Sequence, residues 1–246
     1  MLRLALIRLT SCSGCQLTLL NAEEALPQLV KVVTLVYFPL ATSLSDDGNP
    51  VDLVLVEGAV SRPEEIRNLL RWRHRSRYMA ALGTCALSGG VNALAPKERL
   101  SLCQTICGDG DAACENFAPQ PVRNFVRVDL ELPGCPPDVQ EILRSIASIA
   151  HGGLPQLVTH PLCFECRLTG SPCLLLEKSL PCLGPITRGG CNAHCPGRGI
   201  PCEGCRGDAE EANYDEAYHL LCDLGISRTE VQARVERFNG GTDADR

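Results

Sequence analysis

Over the first 150 positions, short apolar runs alternate with stretches whose apolar residues recur at helical spacing. Residues 2–9 read as a strand and residues 16–25 as a helix. Residues 30–38 and 51–56, rich in β-branched side chains, predict two further strands. Residues 63–74 predict a helix that opens on Pro63, with Ser61 as its cap. A strand over 78–82 ends at Gly83, and a strand over 125–130 precedes Pro133. Val139, Ile142, Leu143, Ile146 and Ile149 share one face of a helix over 139–150. This strand–helix alternation predicts a doubly wound parallel sheet.

Sheets of that class bind their ligands beyond the carboxyl ends of the strands. Cys12 and Cys15, in "TSCSGCQLTLLN", follow the first strand. Cys85, in "LGTCALSGG", follows the strand over 78–82, and Cys135, in "LPGCPP", the strand over 125–130. These turns lie far apart in the chain, yet the fold is predicted to bring them to one sheet edge. Glu57 ends the strand before 58 and joins the same edge, as a carboxylate beside the cysteines or as an ordinary turn residue.

From about His160 the periodicity stops. Residues 160–205 hold eight cysteines among many glycines and prolines, a segment expected to be organised by something other than its own apolar core. An acidic stretch with helical spacing follows over 208–226, then a polar C-terminus.

Composition narrows the function classes. A formal net charge of −6 without a Lys/Arg run gives no footing for nucleic acid or a membrane surface, and 4% aromatic content argues against a base-stacking platform. No apolar stretch nears the roughly 18 residues of a membrane span. The apolar piece at 4–7 is too short for an export signal, and no small-residue cleavage site precedes Cys12. The expected location is cytoplasmic, where clustered cysteines are more often metal ligands or catalytic groups than disulfides.

Sixteen cysteines therefore carry the chemistry. The eight between 160 and 205 are Cys163, Cys166, Cys173, Cys182, Cys191, Cys195, Cys202 and Cys205, enough for two four-cysteine sites. Structural zinc favours paired CxxC knuckles, whereas here two, six, eight, eight, three, six and two residues intervene. Cys135 and Cys195 each precede a proline, as the last cysteine of ferredoxin runs does. The pattern favours iron–sulfur clusters, with zinc as the competing reading and a disulfide framework third. No G-x-S-x-G, GxxxxGK[ST] or GxGxxG motif marks a catalytic centre on this chain.

In order, "SCSGCQLTLLN", "LVEGAV", "LGTCALSGGV" and "LPGCPP" resemble the motifs of the small subunit of [NiFe] hydrogenases. The segment from "PLCFEC" to "PCEGCRG" is similar to the cytosolic branch of that family, which holds viologen-reducing, heterodisulfide-reductase-linked and sulfhydrogenase enzymes. The likeness runs over about residues 2–207. It implies a flavodoxin-like domain over 1–155, a loop-rich iron–sulfur domain over 156–207 and a helical tail over 208–246. It also implies three [4Fe–4S] clusters: proximal on Cys12, Cys15, Cys85 and Cys135; distal on Cys163, Cys166, Cys173 and Cys182; medial on Cys191, Cys195, Cys202 and Cys205.

The implied activity is electron relay between a Ni–Fe centre on a separate large subunit and an acceptor subunit. That acceptor would be a flavin, ferredoxin-type or heterodisulfide-reductase-linked protein. Oxygen-tolerant relatives carry extra cysteines where this chain has Gly14 and Gly90, so no tolerance by that route is expected. A respiratory-complex subunit of the same fold has adjacent cysteines in its first motif, which the Cys12–Cys15 spacing disfavours. A ferredoxin-like adaptor serving a non-hydrogenase partner is the alternative reading, and a zinc-stabilised scaffold a third.

Four cysteines are left over. Cys103, Cys107 and Cys114, with Cys222, would make a further metal site on the sharper reading and small buried apolar residues on the plainer one. His160 borders the second motif and is read as structural or as a group behind the ligands. Arg71, Trp72, Arg73 and Arg75 are expected to form a solvated helix face, or a partner contact. Leu17, Leu19 and Leu20 are expected to pack into the core or a subunit interface.

Overall fold

The computed structural model describes residues 1–94, 105 and 116–239. Five parallel strands stand in the order β2-β1-β3-β4-β5, the flavodoxin-like arrangement. They are β1 (Leu2–Arg8), β2 (Val33–Tyr37), β3 (Val51–Glu57), β4 (Ser76–Leu82) and β5 (Leu130–Leu132). Successive residues of a strand face opposite sides, and helices cover both sides here, so the central strands read as unbroken apolar runs. Leu4, Leu6, Leu53, Leu55 and Leu82 pack with Leu19 and with Ile142 and Ile146 of the helix Val139–Ala150. Ala5, Ile7, Val54, Val56 and Met79 pack on the other side with Leu69 and Trp72 of the helix Pro63–Arg75.

Several boundaries differ from the sequence reading. The apolar run at 30–38 begins inside a helix, Leu26–Val32, and only Val33–Tyr37 is extended. The first helix is Gly14–Leu20, closed at Asn21. The last strand is Leu130–Leu132, bonded to Ala80–Leu82, while Val122–Asn124 forms a single 3-10 turn. Val122 and Val126 are apolar because they fill the second core, not because they lie in a strand. The residue flanking the helix Pro63–Arg75 is Arg62 rather than Ser61. The helix start is closed by the Glu65 carboxylate, which accepts the N–H groups of Ser61 (2.8 Å) and Arg62 (3.1 Å).

Trp72 is not on a solvated face; it is fully buried, tilted against Tyr37, with the Arg75 guanidinium 3.9 Å above its ring. Leu69 and Trp72 point inward at i, i+3, while Arg73 and Arg75 pair with Asp129 and Asp46. Leu19 is buried and Leu20 packs against the core, whereas Leu17 is exposed.

The cysteine-rich segment shares a third core with the chain end. Leu162, Leu183 and Ile186 pack on Ala217 and Leu221 of the helix Tyr214–Asp223 and on Val231 and Val235 of the helix Arg228–Asn239. Both helices lie in the stretch 208–246 that the resemblance gave as a helical tail. Within the segment, Leu162–Leu168 is helical. No described helix is long and apolar enough to cross a membrane. Cys103, Cys107 and Cys114 lie outside the described residues; Cys222 is exposed.

Candidate functional site

Four turns meet at the carboxyl edge of the sheet. Cys12 and Cys15 follow β1, where Ser13 takes a left-handed conformation (φ 65°) to open the helix Gly14–Leu20. Cys85 follows β4 in the short helix Thr84–Ser88, and Cys135 follows β5. Backbone bonds join the last two turns: Gly83 N–H to Leu132 carbonyl, 2.8 Å, and Thr84 N–H to Gly134 carbonyl, 3.0 Å. Glu57, at the end of β3 and 1% exposed, accepts the Cys15 N–H (3.0 Å) and the Gln16 side-chain amide (2.8 Å).

The thiols of these turns sense one another. Burial pushes the Cys15 thiol far up, helped by the Glu57 carboxylate and by Cys85 and Cys135. Cys85 is pushed up to about 11 by burial, then by Cys135, Cys12 and Glu57. Cys135 is raised by burial and then by Cys12 and Glu57. The two glycines singled out in the sequence border these thiols. A Cβ at Gly14 would stand 3.2 Å from Cys12 Sγ, and one at Gly90 3.0 Å from Cys85 Sγ.

Of the eight cysteines between 160 and 205, all but the exposed Cys195 are buried or half-buried. Cys163 and Cys166 project from the helix Leu162–Leu168. Burial raises Cys163 to about 11, with Cys182, Cys166 and Cys173 adding to it. A Cβ at Gly184 would touch both Cys163 Sγ (3.4 Å) and Cys182 Sγ (3.5 Å). Cys205 is raised by burial and then by Cys195 and Cys135, and Cys191 by burial with Glu165 and Cys205 among the lesser causes. Cys202 is raised by burial, then by Cys182 and Cys205.

The Cys202 N–H donates to Cys182 Sγ at 3.3 Å. Among the described residues, no three His, Cys, Asp or Glu side chains gather around a single metal ion. His160 keeps a structural place: its ring tilts against Phe164 at 4.6 Å and its Nδ1 contacts the Pro161 carbonyl at 3.2 Å.

Two buried charged residues at these joints escaped the sequence reading. Glu165, between Cys163 and Cys166, is 7% exposed and accepts the N–H groups of Gly190 and Ala193. It thereby holds a turn in which Asn192 (φ 53°) and Ala193 (φ 50°) are both left-handed, a conformation costing about 1–2 kcal/mol per residue. Replacing Glu165 by alanine strands two buried donors, each worth about 1–3 kcal/mol. A lower denaturant midpoint together with iron loss on gel filtration is expected; an unchanged midpoint would refute the role. Arg206, beside Cys205, is the second. In sequence, a charged residue beside a cysteine carries no sign of its burial.

A model of the family described as "NADH ubiquinone oxidoreductase, 20 Kd subunit" matches residues 12–149, more than half the chain. The chain belongs to that family. Sulfhydrogenase 2 subunit delta of Pyrococcus furiosus is 37% identical over 237 residues, covering 96% of this chain and 99% of the relative. An F420-non-reducing hydrogenase (vhu) subunit of Methanocaldococcus jannaschii is 29% identical over 272 residues, covering 96% and 93%. Among solved structures, a chain of an NAD+-reducing [NiFe]-hydrogenase in the H2-reduced state superposes with a TM-score of 0.55 at 28% identity. That match covers 63% of this chain and 94% of the other.

The 20 Kd family takes its description from a respiratory enzyme, while relatives spanning nearly the whole chain are hydrogenase subunits. This bears out the resemblance drawn from the cysteine motifs. The family match begins on Cys12 and ends ahead of the eight-cysteine segment, which the full-length relatives cover.

Proposed function

We propose that this member of the 20 Kd subunit family is the electron-transfer small subunit of a [NiFe] hydrogenase. The reading is supported by the convergence of the turns bearing Cys12, Cys15, Cys85 and Cys135 at the carboxyl edge of the sheet, together with hydrogenase-subunit relatives that span nearly the whole chain. Cys12, Cys15, Cys85 and Cys135 would hold a proximal cluster. Cys191, Cys195, Cys202 and Cys205 would hold a medial one, and Cys163, Cys166, Cys173 and Cys182 a distal one. The donor set fits: four thiols in each group, with no histidine ligand needed. When bound, [4Fe–4S] clusters supply one-electron carriers whose potentials follow burial, hydrogen bonds to sulfur and local charge.

The chain's own residues prepare those sites. Glu57 fixes Cys15 through its backbone N–H, Asn92 Nδ2 stands 3.6 Å from Cys85 Sγ, and the Gly204 N–H donates to Cys202 Sγ at 3.4 Å. Leu17, Val91 and Leu94, exposed near the proximal turns, support a covering large subunit on that face. H2 chemistry would belong to that partner, and an acceptor subunit of flavin, ferredoxin type or heterodisulfide-reductase linkage would take the far end. Cysteine-rich clustering of this kind suits the cytoplasm.

Anaerobic purification with iron, nickel and zinc quantified together tests the reading. About twelve iron per chain, from three four-iron clusters, and nickel in a copurifying larger chain are expected. Zinc with little iron would overturn the relay, and a partner free of nickel would leave a non-hydrogenase adaptor.

A further inference from the structure

Arg206 is 3% exposed and its guanidinium is fully engaged. Nη2 donates to both carboxylate oxygens of Glu141, at 2.8 and 2.9 Å. Nη1 donates to the Pro133 carbonyl at 2.9 Å, and Nε to the Gly189 carbonyl at 2.6 Å. One planar fork thus ties three pieces of chain together: the helix Val139–Ala150, the turn that leads to Cys135, and the backbone entering Cys191. At the same joint the Thr84 hydroxyl donates to the Cys205 carbonyl. Gly190 (φ +108°) leaves the room: a Cβ there would overlap the Arg206 guanidinium.

A buried ion pair stabilises little more than a well-packed apolar pair of the same volume. The pair's placement is therefore more informative than its strength. Arginine keeps its charge at any working pH, and its fork holds that charge in one place. Glu141 anchors the fork from the sheet domain and offsets part of its field.

We propose that Arg206, held by Glu141, is a positioning residue of the relay whose charge raises the reduction potential of the cluster on Cys191, Cys195, Cys202 and Cys205. The proposal rests on the relay reading above. Reduction adds negative charge to a cluster, so a fixed cation beside it stabilises the reduced state. Arg206 directly follows Cys205 and bonds the Gly189 carbonyl two residues before Cys191, while the Glu165 carboxylate accepts the N–H groups of Gly190 and Ala193 on either side of Cys191. The medial site is thus flanked by a buried cation on the proximal side and a buried anion on the distal side.

The test is a redox titration of the purified complex followed by electron paramagnetic resonance, with the medial signal assigned by its loss in Cys202→Ser. Arg206→Gln is expected to move the medial midpoint negative and Glu141→Gln to move it positive. Arg206→Lys, which keeps the charge but not the fork, is expected to stay near the unaltered value, and the distal midpoint to stay fixed in all three. If Arg206→Gln fails to load iron, the opposite shift in Glu141→Gln still decides. A medial midpoint unmoved by Arg206→Gln and Glu141→Gln, or moved alike by Arg206→Gln and Arg206→Lys, overturns the proposal while leaving the relay intact. Absence of any medial signal in the unaltered complex overturns the relay itself and this proposal with it.

Discussion

Replacing Gly83 by alanine is expected to abolish the proximal site. Gly83 has φ +83° and stands where β4 turns into the helix that carries Cys85. A Cβ there would overlap Cys15 Sγ and come within 3.4 Å of the Gly134 carbonyl oxygen. Its backbone (φ 83°, ψ 162°) lies in a region essentially open to glycine alone, costing another residue about 1–3 kcal/mol, and the overlap displaces a ligand in addition. Iron is expected to fall by about four of about twelve per chain. H2-dependent reduction of the acceptor is expected to fall about 100-fold or more, the scale of a one-ångström misplacement at a reacting centre. Gly225→Ala is the matched control, since φ is +84° and nothing lies within 4 Å of the added carbon. Full iron and activity in Gly83→Ala would remove Cys12, Cys15, Cys85 and Cys135 as a single site.

The second large effect is on stability. Trp72 is fully buried between the sheet and Arg75, and truncation to alanine is expected to cost about 3–5 kcal/mol. Its indole N–H has no partner among the described residues, so Trp72→Phe, which keeps most of the ring and discards an unsatisfied donor, is expected to cost far less. Denaturant midpoints of both variants decide this. Equal losses in the two variants would overturn this assignment of the cost to lost aromatic packing.

How much was legible in advance divides along physical lines. The central strands were legible because they are apolar on both faces, and Gly83 and Pro133 mark where chain direction changes. Boundaries inside continuous apolar runs were not. Val30 and Val32 belong to a helix and Val33 to a strand, and Phe125 and Val126 fill a core from a turn; apolar character alone does not separate these states. The cysteine-rich segment showed its ligands but not its support. Val231 and Val235 look like isolated apolar residues in a polar stretch until they close a core with Leu183 and Ile186.

Glu57 was visible at a strand end, and only the fold showed its carboxylate bonded to the Cys15 N–H. Nothing in the sequence singles out Glu65, Glu141, Glu165 or Arg206, since charged residues are usually exposed. Their burial depends on partners 3 to 65 positions away in the chain, as Glu65 with Arg62 and Glu141 with Arg206 show. The chain itself therefore declares its chemistry: cysteine number and spacing, and a strand rhythm that sends Cys12, Cys15, Cys85 and Cys135 to one edge. Tertiary structure alone decides which charges are withdrawn from water and set between the cysteine groups, because desolvation and pairing arise only when distant segments meet.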